Sequence, residues 1–172
     1  GSLYATDEGK HEVRRYRRGE SQGTVVAGDN GSGNRLDQLS FLRYVFVDRD
    51  HSVYVSEWGN HRAMKWVEGA KQGIVVAGGQ GEGNGLTQLS YPEGVVVDQL
   101  GTVYAADGGN ARIMRWPKGA TQGSVIVGRN GEGGQSNQLN GPIGLSFDRH
   151  GNLYVVDNGN HRVQKFNIDS SP

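Results

Sequence analysis

The sequence predicts an all-β protein assembled from small antiparallel sheets, and three observations support this. Tyr4, Tyr54, Tyr104 and Tyr154 recur every 50 residues, each followed five residues later by glycine, which indicates an internal repeat. The 29 glycines separate short runs rich in Val, Ile and Tyr, residues that favour strands. No window keeps the 3.6-residue period of an amphipathic helix, because glycines interrupt the chain too often.

The unit formed by residues 91–140 shows the predicted elements in order. Turns rich in glycine separate its apolar runs, and the polar stretch 129–140 is the long crossing to the next unit. The four predicted strands are residues 94–98, 102–107, 112–116 and 123–128. Several of these runs are apolar on both faces, which predicts sheets that are covered on both sides. Four-stranded sheets stacked around an axis meet that demand, so a β-propeller is the favoured architecture and a solenoid the second choice.

The whole chain is predicted to be one propeller segment over residues 1–172. Its repeat units are 1–40, 41–90, 91–140 and 141–172, of which the first and last are partial. Counting strands gives three, four, four and three, so we expect an incomplete ring in one chain. A fragment of a longer protein, or closure by self-association through open blade edges, is favoured over a closed four-bladed ring.

The repeated hairpin carries a motif that resembles a known family. Tyr154 is followed by Asp157 and by the stretch Asn158–Val163 (NGNHRV), which is similar to the NHL repeat. The resemblance runs through all four units, although Lys10-His11-Glu12 departs from the motif. It implies a propeller that usually has six blades, of which this chain would supply about half. Residues 4–7 (YATD) also resemble the YWTD repeat of a related propeller family, the runner-up.

The repeated polar residues are interpreted as scaffold. Asp107 precedes the hairpin turn and Arg112 follows it, so the carboxylate can bridge the guanidinium and cap turn amides. Asn110 tolerates left-handed backbone dihedrals and is expected to adopt them in this turn. Residues 157, 160 and 162 repeat the pattern. Asp48, Asp98 and Asp148 are predicted to cap the inner hairpin turns.

Specialised residues are sought where the repeat breaks. The position before the inner strand holds Arg43, Glu93 or Ile143, next to Phe41, Tyr91 or Gly141. Trp58 stands where the other units have Glu8, Gly108 and Asn158, and an exposed tryptophan can stack on a sugar or a peptide. Packing of Trp58 on the neighbouring blade is an equally supported alternative. The predicted ligand-binding residues are Arg43, Trp58, Tyr91 and Glu93.

Charge and composition argue against several other partners. The chain has 18 basic and 18 acidic residues, so the net charge is zero, and a nucleic-acid partner is not favoured. Residues 10–18 (KHEVRRYRR) form the one basic run, and it lies in a single unit, which fits a solvated strand edge better than an RNA site. No apolar run approaches the ~20 residues that cross a bilayer, so no membrane partner is expected.

No catalytic or metal constellation is apparent. The chain lacks cysteine, and its five histidines fall in different repeat units or turns. A peptide-amidating lyase shares the NHL fold and, in that family, binds zinc through histidines that follow a proline before the inner strand. Glu93 and Ile143 follow the prolines here, so neither a metal nor another cofactor is predicted. Lactonase-like propellers use converging carboxylates, for which Glu93 alone is a candidate.

These observations predict a non-catalytic interaction or scaffold module. It would bind a protein, peptide or glycan through its blade loops, with Arg43, Trp58, Tyr91 and Glu93 as contact residues. The alternative is the propeller portion of a lyase or lactonase-like hydrolase whose catalytic residues lie in missing blades.

Overall fold

The computed structural model describes residues 1–168 and shows four antiparallel sheets of three, four, four and three strands. Their strands are, in sheet 1, β1 Ser2–Asp7, β2 Glu12–Arg17 and β3 Thr24–Gly28; in sheet 2, β4 Leu42–Val47, β5 Val53–Glu57, β6 Arg62–Trp66 and β7 Ile74–Gly78; in sheet 3, β8 Pro92–Val97, β9 Val103–Asp107, β10 Arg112–Trp116 and β11 Ser124–Val127; and in sheet 4, β12 Pro142–Phe147, β13 Asn152–Asp157 and β14 Arg162–Asn167. The predicted strand count of each sheet is confirmed.

Each sheet is a simple meander in which consecutive strands pair antiparallel. The inner strands β4, β8 and β12 lie next to one another, so the sheets follow one another as the blades of a propeller. The described residues do not close a ring, as the sequence predicts. Within residues 1–168, no helix is long and apolar enough to span a bilayer.

The core lies between neighbouring sheets rather than inside any one of them. Every residue of β5 and β9 is buried, and Trp66 and Trp116 are each 2% exposed. One apolar cluster joins sheets 1 and 2, a second joins sheets 2 and 3, and a third joins sheets 3 and 4. The prediction that the strands are covered on both faces is therefore confirmed for β5, β6, β9 and β10, whereas the outer strand β7 has Ile74 57% exposed.

The inner hairpin turns are held by their aspartates, as predicted. Asp98 Oδ1 accepts hydrogen bonds from the backbone amides of Leu100 and Thr102, both at 2.9 Å. Its Oδ2 accepts from the Tyr104 hydroxyl at 3.2 Å. Asp48 and Asp148 repeat this arrangement. These aspartates are turn caps because one carboxylate satisfies two amides that the tight turn leaves unpaired.

The second aspartate of the motif forms the predicted ion pair but not the predicted cap. Asp107 Oδ2 accepts from Arg112 Nε at 2.6 Å, while Oδ1 accepts from the backbone amide of Ser90 at 2.7 Å. No side chain caps the short 3-10 turn Gly108–Asn110. The expected capping of turn amides is therefore wrong here, because the carboxylate instead ties the hairpin to the segment that precedes its own inner strand.

The left-handed position of the turn also differs from the prediction. The positive φ lies at Ala111 (49°) and at His161 (52°), one residue after Asn110 and Asn160. The side-chain amide of Asn110 instead donates to Asp107 Oδ2 and to the Gly83 carbonyl, both at 2.8 Å. Asparagine is used for its side-chain donor, not for its tolerance of left-handed backbone.

Arginine completes the network by holding the crossing loop. Arg112 donates to the carbonyls of Asn84, Gly85 and Gln88 at 2.8, 3.0 and 3.3 Å. Arg62 and Arg162 make the corresponding bonds one blade before and one blade after. Each motif therefore joins a hairpin to the loop that crosses into its blade, which places the start of every inner strand.

Candidate functional site

The four predicted ligand-binding residues meet at one end of sheets 2 and 3. In an antiparallel meander, the β5–β6 turn and the starts of β4 and β8 lie at the same end. Trp58 is in that turn, Arg43 is on β4, Tyr91 directly precedes β8, and Glu93 is on β8. We name the group formed by Arg43, Trp58, Tyr91, Glu93 and His61 the Arg43 cluster.

Aromatic stacking holds this cluster together. The guanidinium carbon of Arg43 lies 4.5 Å from the centroid of the Trp58 ring. The Trp58 and Tyr91 rings are 4.8 Å apart, and His61 meets Tyr91 edge-on at 4.7 Å. Cation–π and tilted aromatic contacts of this kind contribute roughly 0.5–1.5 kcal/mol each. The stack crosses the boundary between sheets 2 and 3, since Tyr91 belongs to the segment entering sheet 3.

Arg43 keeps its hydrogen-bonding capacity unused. Its Nε is 3.7 Å from Glu93 Oε2, and its NH1 is 3.8 Å from Glu8 Oε1. Both separations exceed hydrogen-bond length, and no atom within the described residues accepts a hydrogen bond from this guanidinium. Arg43 is thus oriented by Trp58 and by two carboxylates, while its donors remain available to a ligand.

The Glu93 carboxylate sits in a partly dehydrated environment. Burial raises the pKa of Glu93, and Arg43 and the nearby Trp58 indole only partly oppose that effect. The Trp58 Nε1 atom is itself buried and has no hydrogen-bond partner of good geometry among residues 1–168. The indole therefore influences the carboxylate without forming a proper bond to it. A buried donor left unpaired costs free energy, which is common at functional sites.

His61 belongs to the site although its sequence pattern indicates only scaffold. Its Nδ1 accepts a hydrogen bond from the Tyr91 backbone amide at 3.1 Å. This contact requires the neutral tautomer that carries the proton on Nε2. His61 is on the turn before β6 while Tyr91 precedes β8, so the pairing joins two repeat units. His11 and Phe41 stand 50 residues before His61 and Tyr91, and this repeated pairing of histidine with an aromatic residue is the only hint of the contact in the sequence.

The aromatic residues that precede the inner strands β4 and β8 have left-handed backbone. Phe41 has φ of 49° and Tyr91 has φ of 48°, whereas the fourth unit has Gly141 with φ of 56° at the same position. Large side chains rarely adopt this region, and doing so costs roughly 1–2 kcal/mol. Phe41 is 60% and Tyr91 39% exposed. Retaining aromatic rings at a position where glycine would relieve the strain suggests a role outside folding.

Trp58 matches the packing alternative in part. The side chain is partly buried, Arg43 covers one face, and Tyr91 of the next unit packs against it. It is therefore not a free stacking platform, and Phe41 and Tyr91 present the accessible rings. Trp58 organises the cluster by fixing Arg43 and Tyr91 relative to each other.

The basic run of sheet 1 is largely paired with carboxylates. Arg14 donates to Glu12, and Arg15 NH1 lies 3.1 Å from Glu68 Oε1 in the neighbouring sheet. The Arg17 backbone amide donates to Glu20 Oε2 at 2.8 Å, with its guanidinium 4.0 Å from Glu20 Oε1. Paired cations of this kind leave little positive charge to release counterions from a phosphate backbone.

Within the described part of the chain, no three His, Cys, Asp or Glu side chains converge as metal ligands. Glu93 faces Arg43 rather than a second carboxylate. The arrangement can bind a ligand through stacking and hydrogen bonds.

Comparison with known proteins supports the repeat assignment. The family model described as the NHL repeat matches residues 89–115 and 139–166. No curated protein shows a significant match to the sequence.

Solved structures share the fold at low sequence identity. An auxiliary nutrient binding protein from Bacteroides thetaiotaomicron is 17% identical with a TM-score of 0.73, covering 96% of this chain and 44% of that one. A candidate phosphatase from the same organism is 16% identical with a TM-score of 0.72, covering 100% and 46%. A chain of a nidogen/laminin complex is 21% identical with a TM-score of 0.68, covering 96% and 56%.

This chain therefore spans about half the length of the structures it resembles. Such similarity supports the fold, and the matched repeats support the family. Two segments of the chain, residues 89–115 and 139–166, match the NHL repeat, and the described residues form part of a β-propeller.

Proposed function

We propose that the chain is a non-catalytic interaction module that binds a protein, peptide or glycan partner through the Arg43 cluster. The observation that carries the proposal is the convergence of Arg43, Trp58, Tyr91 and Glu93 from two blades. Tryptophan, tyrosine and arginine are the residues most enriched among binding hot spots, especially where they are packed and partly dehydrated.

The chemistry of the cluster suits a partner with both polar and apolar groups. Tyr91 and the neighbouring Phe41 offer exposed rings, and the guanidinium of Arg43 offers free donors. Glu93, which is half-buried, offers acceptors beside them. Such a set can stack on a sugar ring or a side chain while bonding the hydroxyls, carbonyls or carboxylates around it.

The proposal is tested by replacing cluster residues with their counterparts from the fourth unit. A ligand is first selected from a peptide display library and a glycan array with the intact chain. Trp58→Asn and Arg43→Ile introduce the residues found at 158 and 143, so the fold should tolerate them. Each should weaken binding by about 2 kcal/mol or ~30-fold in Kd, as hot-spot truncations do.

Arg149→Ile is the matched control, because it repeats the Arg43→Ile change at an exposed residue of the β12–β13 turn, at the opposite end of the blades. Its Kd should equal that of the parent chain. If Arg43, Trp58 and Glu93 can be replaced together without any loss of affinity, the proposal is wrong.

The alternative, a propeller portion of a lyase or lactonase-like hydrolase, is separable from it. One structurally similar protein is a candidate phosphatase, and this similarity is the reason to test for catalysis. A hydrolase of this kind would retain a divalent ion through channel carboxylates. Elemental analysis of the purified chain should find none in stoichiometric amount, and finding one would favour the alternative.

A further inference from the structure

Two clefts lie between neighbouring sheets, at the end of the blades that carries the inner hairpin turns. The first cleft, between sheets 1 and 2, has a volume of about 560 Å³, and the second cleft, between sheets 2 and 3, about 960 Å³. Residues 50 positions apart line them, since Val53 and Trp66 in the first correspond to Val103 and Trp116 in the second. The two clefts therefore have the same position in the repeat and differ in the side chains that line them.

Ion pairs cross the first cleft. Arg15 on β2 lies 3.1 Å from Glu68, which follows β6 in the next sheet. His51 Nδ1 is 3.5 Å from the other oxygen of the same carboxylate. These side chains bridge the walls and occupy part of the space between them, so the first cleft carries its own anion.

At the position of that anion the second cleft has a lysine, and the carboxylates that line it, Asp48, Asp50 and Asp98, all belong to the inner hairpin turns. Lys65 stands at the position of Arg15, Lys118 at the position of Glu68, and Gly101 at the position of His51. A cation thus replaces the carboxylate, and the Lys118 side chain packs against Gly101, at the position that His51 holds in the first cleft. Two lysines face a cleft where the neighbouring blade pair has an arginine and a glutamate.

Neither lysine is satisfied by a hydrogen bond. Lys65 Nζ lies 3.9 Å from Asp48 Oδ2 and 5.2 Å from the centre of the Tyr54 ring. No carboxylate among residues 1–168 pairs with Lys118. Asp48 and Asp98 are engaged by amides of their own turns, which limits what they offer the lysines. An anionic group placed between the two ammonium groups would find unspent donors on both sides.

The wall beside the lysines is apolar. Ile74 on β7 is 57% exposed, where the first cleft has Thr24, and Val75 is 37% exposed. Leu100 in the facing turn is 74% exposed. The volume lies within the range of roughly 300–1,000 Å³ that small-molecule sites occupy.

We propose that the second cleft binds a small amphipathic carboxylate, with its carboxylate between Lys65 and Lys118 and its apolar body against Ile74 and Leu100. The proposal is independent of the Arg43 cluster, which lies at the other end of the blades. It adds a small-molecule site to a surface that the repeat pattern alone presents as scaffold.

The charge requirement is tested on the unaltered chain with three probes of equal length. Octanoate, 1-octanol and octylammonium are titrated in turn, and amide chemical shifts are followed by NMR. Octanoate should bind at least about tenfold more tightly than octanol, the factor that one charge-assisted bond supplies, and octylammonium should bind more weakly still. Octylammonium binding as tightly as octanoate would overturn the proposal.

The location is tested by restoring the missing anion. Lys118→Glu places a carboxylate opposite Lys65, as Glu68 lies opposite Arg15, and should weaken octanoate binding about tenfold. Lys71→Glu is the matched control, because Lys71 lines the first cleft and undergoes the same charge change. Circular dichroism checks that each variant is folded. The titrations of the parent chain with the three probes test the proposal even if a variant fails to fold. Unchanged affinity in Lys118→Glu, or shifts confined to the first cleft, would contradict the proposal.

Discussion

Individual residues show how the repeat tolerates exchange of charge. At the motif position of Arg62, sheet 1 has Glu12, which is fully buried, and Arg14 donates a hydrogen bond to it. Position 14 holds methionine in the two complete blades, at Met64 and Met114. The cation has therefore moved two residues along the strand while the buried carboxylate took its place. This exchange explains why Lys10-His11-Glu12 departs from the family motif without loss of the hairpin.

Asp148 offers a residue-scale prediction about pH. The Asn152 side chain and the backbone amides of Asn152 and His150 lower the pKa of Asp148 to about 2. A lowered pKa means that the ionised carboxylate stabilises the folded state above the unfolded pKa of about 3.9, and that this contribution is lost as the pH falls toward 2. Carbon-13 NMR titration of the Asp148 carboxyl measures it directly.

The Asn152→Ala variant isolates the cause of this shift. Asn152 Nδ2 donates to Asp148 Oδ2 at 2.8 Å, so its removal should raise the Asp148 pKa toward the ordinary value. An Asp148 pKa near 4 in the parent chain would show that the turn does not stabilise the ionised form.

Among structural elements, the loops that cross between blades depend on the motif arginines. Each arginine bonds a buried carboxylate and also three carbonyls of the loop that crosses into its blade. Burial raises the pKa of both Glu57 and Asp107 despite these bonds, so the carboxylates depend on their arginine partners. Hairpin, loop and inner strand therefore form one cooperative unit.

Removing a motif arginine should destabilise its blade, and the loss should be larger where the arginine side chain is more buried. Arg112→Leu leaves the Asp107 carboxylate buried and unpaired, and should lower the free energy of unfolding by about 3–5 kcal/mol. Arg162→Leu should cost clearly less, because the Arg162 side chain is 29% exposed against 9% for Arg112. Urea unfolding of the parent and both variants measures the difference, and equal losses would contradict the burial argument.

Much of each element could be predicted from the sequence, because the signals are local. Glycines bound runs of β-branched residues, so the predicted strand 112–116 coincides with β10 Arg112–Trp116 and the other boundaries shift by at most two residues. Contacts between units could not be predicted. His61 reaches Tyr91 across two units, and Asp107 bonds the amide of Ser90. Nothing near Asp107 in the sequence indicates its partner, and for His61 the only hint is that His11 and Phe41 stand 50 residues before His61 and Tyr91.

The candidate site was predictable only through the repeat. Arg43, Trp58, Tyr91 and Glu93 stand out because neighbouring units have other residues there, and the stacking of blades then brings them together. The expectation for Asn110 is wrong for a related reason. Backbone tolerance is a property of a residue alone, whereas its amide here serves a carboxylate placed by the hairpin.

At the scale of the whole molecule, the four sheets form an open row, and the first and last sheets of that row expose apolar residues. Leu3 on sheet 1 is 67% exposed and Val163 on sheet 4 is 62% exposed. Exposed apolar strands at sheet edges favour pairing with further strands. We expect the chain to self-associate, so its mass measured by light scattering should rise with concentration. Replacing Leu3 and Val163 by threonine should reduce the effect, and a monomer at every concentration would contradict it.

We propose that a partner binds the end of the blades where the Arg43 cluster lies. Hydrogen–deuterium exchange of the whole chain, with and without a ligand selected as described above, tests it most directly. We predict that protection on binding is confined to the amides around Phe41–Arg43, Trp58–His61 and Tyr91–Glu93. Protection confined to the inner hairpin turns at the opposite end, with none around Tyr91, would contradict the account.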